Sequence, residues 1–149
     1  TGPRPPQWRR KALDARLRRQ EILDRENGTA PKLTAVITEA SLLYRWGTNT
    51  DRREQIAHLI DSAARPNVEL RVQRFEDGPP SGAFSMVNLF AFDGQDPSLV
   101  FVETDYVIEE VSKRDAVNGY VQSFNRACDG ALDPSDAVAY LEYLANRLE

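Results

Sequence analysis

The spacing of apolar and polar residues along the chain predicts both strands and helices. Five segments have the apolar runs or the alternation that strands show, and they cover residues 33–38, 68–75, 83–92, 98–104 and 106–111. The Asp93-Gly94 dipeptide between the third and fourth segments is a turn signal, so these two strands are expected to form a hairpin.

Apolar residues at helical spacing predict helices over residues 8–26 and 39–46 and three further helices that open near Asp51, Ser112 and Asp133. Asp51 and Glu54 have the spacing of a capping box. Asp133 precedes a proline, which is common at the first position of a helix. The last two of these helices complete the carboxy-terminal part of the chain.

The order of these elements predicts an α+β fold. We expect a mostly antiparallel sheet of four to five strands with flanking helices and two helices at the carboxy terminus. Residues 1–7 are rich in proline and are expected to be a lead-in or a linker remnant, and residues 8–149 are expected to form a single domain. With 149 residues, the chain can bury a core without disulfides or a structural metal.

Composition narrows the chemistry that the chain can perform. The chain has one cysteine, Cys128, so it cannot form an intrachain disulfide. It has one histidine, His58, so it cannot form a histidine-rich metal site. We therefore expect no metal and no cofactor. No apolar run is long enough to span a membrane, so we expect no membrane partner and a cytoplasmic location.

The amino-terminal helix combines positive charge with two apolar sides. Residues 1–26 hold eight basic side chains against four acidic ones, although the whole chain has a net charge of -4. Leu13 and Leu17 project nearly opposite to the face that holds Trp8, so the helix needs a second neighbour. We expect Trp8, Leu13 and Leu17 to form an interface, with a homodimer as the assembly. No helix-turn-helix pattern surrounds the basic residues, so this chain is not expected to read DNA itself.

Two carboxylates are the candidates for acid–base catalysis. Glu39 follows the first predicted strand and Glu103 ends the fourth, so both would lie at strand ends, where one would act as acid and the other as base. The structural alternative is that such acids cap a helix or a turn. If the chain is an enzyme, these are its expected catalytic residues; otherwise it has none.

Aromatic residues on neighbouring predicted strands suggest a surface for an apolar ligand. Apolar side chains gathered on a sheet can floor a ligand pocket, or they can form the core beneath the helices. The expected ligand-binding set is Trp46, Phe84, Met86, Phe101, Glu103 and Tyr106.

Several stretches together resemble a known family. The most specific are Glu39-Ala40-Ser41-Leu42 after the first predicted strand and Arg65-Pro66-Asn67-Val68 before the second. They resemble the carboxy-terminal domain of unknown function that follows an Xre-type helix-turn-helix in actinobacterial transcriptional regulators. The family defines no catalytic set, and this chain departs from it because it holds no helix-turn-helix and has a shorter, more proline-rich loop after Phe75.

The resemblance implies a ligand-sensing or protein-interaction (effector) domain of an Xre-like regulator. Its partner would be a small apolar ligand or a small protein, and DNA would be bound only through a separate helix-turn-helix. The alternative is a stand-alone isomerase, cyclase or dehydratase that acts on an apolar metabolite with Glu39 and Glu103 as acid and base. We favour the non-enzymatic interpretation.

Overall fold

The computed structural model describes residues 6–25, 28–79, 86–92, 99–104 and 107–148. Within them, five α-helices and five β-strands follow one another along the chain: α1 (Pro6–Gln20), β1 (Leu33–Thr38), α2 (Glu39–Leu43), α3 (Asn49–Ala63), β2 (Val68–Gln73), β3 (Met86–Phe90), β4 (Leu99–Glu103), β5 (Ile108–Val111), α4 (Arg114–Gly130) and α5 (Pro134–Asn146). The α+β class predicted from the sequence is confirmed. Of the predicted lead-in, residues 1–5 lie outside the description, whereas Pro6 and Gln7 already belong to α1.

The first two strands run parallel. β1 and β2 pair in register from Leu33 opposite Val68 to Thr38 opposite Gln73. The helices α2 and α3 lie between these strands in the chain and return it to the starting edge, which is the connection that parallel neighbours require.

The last three strands form a separate antiparallel sheet in the order β3-β4-β5. Met86 lies opposite Glu103 in one pair and Glu103 opposite Ile108 in the other. The prediction of one mostly antiparallel sheet of four to five strands is therefore wrong. The helical crossover between the first two strands makes them a parallel pair, and only three described strands are antiparallel.

The described part of the chain has two clusters of buried apolar residues. The larger joins β2, α3 and α5 through Ile56, Leu70, Val72, Ala137, Leu141 and Leu144. The smaller joins β4 to α4 through Val100, Val102 and Val117. Helix α4 contacts both β2 and β4 and so links the two sheets.

Local hydrogen bonds set where α3 and α5 begin. Thr48 Oγ1 accepts from the Asp51 backbone N–H at 3.1 Å, and Asp51 Oδ2 accepts from the Thr48 N–H at 2.7 Å. This capping box starts one turn before the one expected from Asp51 and Glu54, because Thr48 is the residue with extended backbone dihedrals. Asp133 caps α5 with Pro134 in its first turn, as predicted.

Helix α1 projects its described side chains into solvent. Leu13 is 55% exposed and Leu17 is 49% exposed. The helix ends at Gln20, and a 3-10 turn follows over Glu21–Asp24, so the continuous helix predicted to residue 26 is shorter than expected. After α1, Asn67 Nδ2 donates to the Leu23 carbonyl at 3.1 Å, which ties the 3-10 turn to the residues before β2.

No helix in the described ranges is long and apolar enough to cross a membrane.

The larger core predicts a strong effect of truncating Leu141, which is completely buried. We expect Leu141→Ala to lower the free energy of unfolding by about 3 kcal/mol, because the lost side chain leaves a cavity. Leu43→Ala is the matched control, since Leu43 is 44% exposed, and it should change the free energy by about 1 kcal/mol or less. Urea unfolding followed by circular dichroism measures both. Equal losses in the two variants would contradict the position of the core.

Candidate functional site

A cleft of about 780 Å³ opens beside the carboxyl ends of β1 and β2. Glu39, Arg52 and Tyr140 line it, so that α2, α3 and α5 each supply part of its wall. The region outside the carboxyl ends of parallel strands is the common place for ligands in α/β sheets, because the strand-to-helix turns converge there. The cleft is therefore the first candidate site.

The carboxylate of Glu39 bridges two elements across the cleft wall. Its Oε2 accepts from the Phe75 backbone N–H at 2.6 Å, and its Oε1 accepts from the Tyr140 hydroxyl at 2.5 Å. Burial, together with the hydrogen bond to Glu39, raises the pKa of Tyr140 far above its ordinary value of 10.0. The phenol therefore remains a protonated donor throughout the neutral range.

Three arginines line the same cleft: Arg45, Arg52 and Arg147. None of them forms an ion pair with a carboxylate in the described ranges, whereas Arg65 and Arg71 elsewhere in the chain do. Within the described residues, the guanidinium groups of the cleft are therefore not paired with a carboxylate.

Two of these arginines are held by nearby residues: Arg52 within α3, and Arg147 directly after the end of α5. Arg52 Nη2 donates to Asn49 Oδ1 at 2.5 Å, while Arg52 Nε is buried and has no hydrogen-bond partner in the described structure. Arg147 donates to the Tyr143 hydroxyl, and its guanidinium carbon lies 5.4 Å from the centre of the Tyr143 ring. Both groups are thus oriented before any ligand arrives.

The antiparallel sheet presents a second candidate surface, which we call the outer face. It consists of the side chains that point away from α4 and includes Met86, Phe90, Phe101, Glu103, Ile108 and Glu110. Met86 is 53% exposed and Ile108 is 63% exposed. The rings of Phe90 and Phe101 meet edge to face with their centres 5.8 Å apart. The outer face is therefore an open apolar surface with acidic residues on it.

A model of a known family matches residues 2–143, which is nearly the whole chain; its description is "Domain of unknown function (DUF5753)". The chain belongs to the DUF5753 family. Neither the search of curated proteins nor that of solved structures finds a significant match.

The ligand-binding set expected from the sequence is divided in this DUF5753 domain. Met86, Phe101 and Glu103 share the outer face. Trp46 belongs to the loop before α3 and is 46% exposed, between two residues that line the cleft. Phe84 and Tyr106 lie outside the described residues.

The two candidate catalytic carboxylates do not come together. Glu39 lines the cleft, and Glu103 lies on the outer face of the other sheet. Both oxygens of Glu39 accept hydrogen bonds that connect structural elements, which is a structural role other than the helix cap that the alternative anticipated. The geometry offers no acid–base pair built from Glu39 and Glu103.

The interface residues of α1 can be placed only in part. Leu13 and Leu17 are exposed on the helix, while the side chain of Trp8 lies outside the description.

Sequence reasoning missed the arginines of the cleft. Tyr140, Tyr143 and Arg147 are spaced at three and seven residues, which places them on one side of α5, and this spacing was the available signal. Arg45 and Arg52 come from a loop and another helix, and only the fold brings them to the same cleft.

The other candidate groups show no activated chemistry. Burial raises the pKa of the Cys128 thiol, which disfavours the reactive thiolate. His58 is exposed on α3. In the part of the chain that is described, no cluster of three or more His, Cys, Asp or Glu residues is arranged to hold a metal ion.

The bond between Tyr140 and Glu39 predicts a pH-dependent contribution to stability. The raised pKa means that the folded state holds the phenolic proton more tightly than the unfolded state, so this stability is present below pH 10 and is lost as the pH rises further. Tyr140→Phe should lower the free energy of unfolding by about 2 kcal/mol at neutral pH.

Urea unfolding from pH 7 to pH 11 measures this effect. The difference between wild type and Tyr140→Phe should shrink above pH 10, because the unfolded wild type releases its phenolic proton there while the folded state still holds it. Tyr143→Phe is the control, since its hydroxyl does not contact Glu39. A difference that stays constant over this range would contradict the contribution of the Tyr140 proton.

Proposed function

We propose that this DUF5753 domain is the effector domain of an Xre-like transcriptional regulator from an actinobacterium, and that it dimerises by placing α1 on the outer face of a second copy. DNA is bound by a separate helix-turn-helix of the same regulator. The main support for the proposal is that every described side chain of α1 is exposed to solvent.

An isolated helix of this length is marginal in water, since about 12 to 15 residues are the lower limit even for favourable sequences. Helix α1 has 15 residues, and Leu13 and Leu17 are separated by four positions, so they lie next to each other on one side. A partner surface that covers these leucines stabilises the helix.

The outer face has the size and charge to receive this helix. A helix of 15 residues is about 22 Å long, and a strand of five residues spans about 17 Å. The described side chains of α1 include five basic residues and one acidic residue, whereas Glu103 and Glu110 lie on the outer face. Apolar contact at the centre and opposite charges around it favour this pairing.

The openness of the outer face favours a protein over a small ligand. Small-molecule sites usually enclose about 70–90% of the ligand surface. A ligand lying on Met86 and Ile108, which are both more than half exposed, would keep much of its own surface in water. Reciprocal exchange of α1 between two copies gives a closed dimer with two identical contacts.

The dimer predicts that Leu17→Glu converts the protein to a monomer, because the carboxylate would be buried against the apolar and acidic outer face. Size-exclusion chromatography with light scattering should give a dimer mass for the wild type and half that mass for the variant. Tyr44→Glu is the control, since Tyr44 is 70% exposed and lies outside both surfaces, and it should remain dimeric. A wild-type monomer, or a dimer that survives Leu17→Glu, would refute the interface.

Cysteine cross-linking identifies the occupant of the outer face. A mixture of a Leu17→Cys protein and an Ile108→Cys protein should form a disulfide between the two chains on oxidation. A protein that carries both Leu17→Cys and Ile108→Cys is the second experiment. A disulfide formed within a single monomer of this protein would show that α1 covers its own sheet.

The assignment to a regulator has a separate test in the coding sequence. We expect a helix-turn-helix to be encoded upstream in the same reading frame. A start codon immediately before this domain, with no helix-turn-helix in the frame, would contradict the regulator and leave the dimer to be judged by its mass.

A further inference from the structure

We infer that the cleft beside β1 and β2 binds a small organic anion, with a carboxylate or phosphate group on its arginines and an apolar or planar group against its tyrosines and leucines. This inference rests on the cleft alone, so it holds whether or not the domain dimerises or belongs to a regulator.

The charge of the cleft favours an anion. Among the described residues that line the cleft, Arg45, Arg52 and Arg147 are accompanied by one acidic residue, Glu39, in a chain whose net charge is -4. Both oxygens of Glu39 accept hydrogen bonds from the protein. Asp51, which lies near the loop before α3, accepts from both the backbone N–H and the hydroxyl of Thr48 and does not line the cleft. The excess positive charge is therefore available to a ligand.

Arg52 supplies the most specific feature. Its Nε is buried without a partner, although its Nη2 is fixed by Asn49. A buried donor on a charged group is unfavourable unless it is paired, and carboxylate and phosphate oxygens are the acceptors that suit a guanidinium. Arg52 therefore has a guanidinium that the described protein atoms satisfy only in part, and an anion on its Nη groups would balance its charge.

The remaining lining describes the rest of the ligand. The rings of Tyr140 and Tyr143 lie with their centres 6.0 Å apart, and Leu42 and Leu144 add apolar surface. The Arg147 guanidinium lies over the face of the Tyr143 ring, so a cationic group and an aromatic group stand side by side in the cleft. A volume of about 780 Å³ is in the range of sites for drug-sized ligands. The cleft thus suits an amphipathic anion better than a bare inorganic ion.

The test uses four probes of defined chemistry: phenyl phosphate, benzoate, inorganic phosphate and phenol. Each is titrated into the ¹⁵N-labelled full chain, and binding is read from amide chemical shifts of residues in the cleft. Phenyl phosphate or benzoate should bind in the millimolar range or tighter and at least tenfold more tightly than phenol. The stronger of the two identifies whether phosphate or carboxylate is the preferred group.

Two variants connect the binding to the arginines. Arg52→Gln and Arg45→Gln should each weaken the preferred probe about tenfold, because each removes one charged hydrogen bond. Arg126→Gln is the matched control, since Arg126 is an exposed arginine on α4 with a bond to Ser123, and it should bind as the wild type does. Arg45 is exposed, so its replacement tests the site even if Arg52→Gln unfolds.

The outcomes separate this inference from the proposed dimer. The monomeric Leu17→Glu variant should bind the probe as tightly as the wild type. The inference is overturned if neither organic anion binds at millimolar concentration, if inorganic phosphate or phenol binds as tightly, or if the two cleft variants retain wild-type affinity.

Discussion

The carboxylate of Glu39 is the interaction that holds the carboxyl end of the parallel strand pair together. It comes directly after β1, and its two oxygens reach the backbone just beyond β2 and the hydroxyl of Tyr140 on α5. The side chains of the larger core fix α3 and α5 against β2, but apolar contacts have no direction and do not set how the ends of these elements meet. Glu39 adds that directional constraint, and the cleft takes its shape from the elements that it joins.

The sequence predicted the elements better than their arrangement. Sequence patterns located the strands and most of the described helices to within about three residues, because burial imposes a period of two or about 3.6 on the chain. The exposed helix α1 ends six residues before its predicted end. Parallel pairing of β1 and β2 depends on the path of α2 and α3, and the strand patterns alone do not reveal it. The order of strand, two helices and strand is typical of a parallel pair. The prediction instead followed the three later strands, whose consecutive order favours an antiparallel sheet.

The site was harder to predict because its groups converge from distant parts of the chain. Alternation along β4 places Phe101 and Glu103 on one face, since residues two apart share a side. Met86 joins them only through the register of β3 against β4. Alternation could not tell which side faces α4, and the smaller Val100 and Val102 take that position. The cleft arginines follow no such period, so only the tertiary structure brings Arg45, Arg52 and Arg147 together.

The two surfaces lie on different sheets, yet hydrogen bonds and core packing link the elements that carry them. The end of β2 lies beside the cleft through the bond between Glu39 and Phe75. Buried Gln73 donates to the Gly130 carbonyl at the end of α4 at 3.5 Å, and α4 in turn packs on β4 beneath the outer face. Such contact permits coupling but does not establish it, because coupling requires that the two sites bias the same pair of states. If an anion in the cleft strengthens association on the outer face, then association must strengthen anion binding by the same factor. The reciprocal measurement therefore distinguishes an effector domain from a domain with two independent sites.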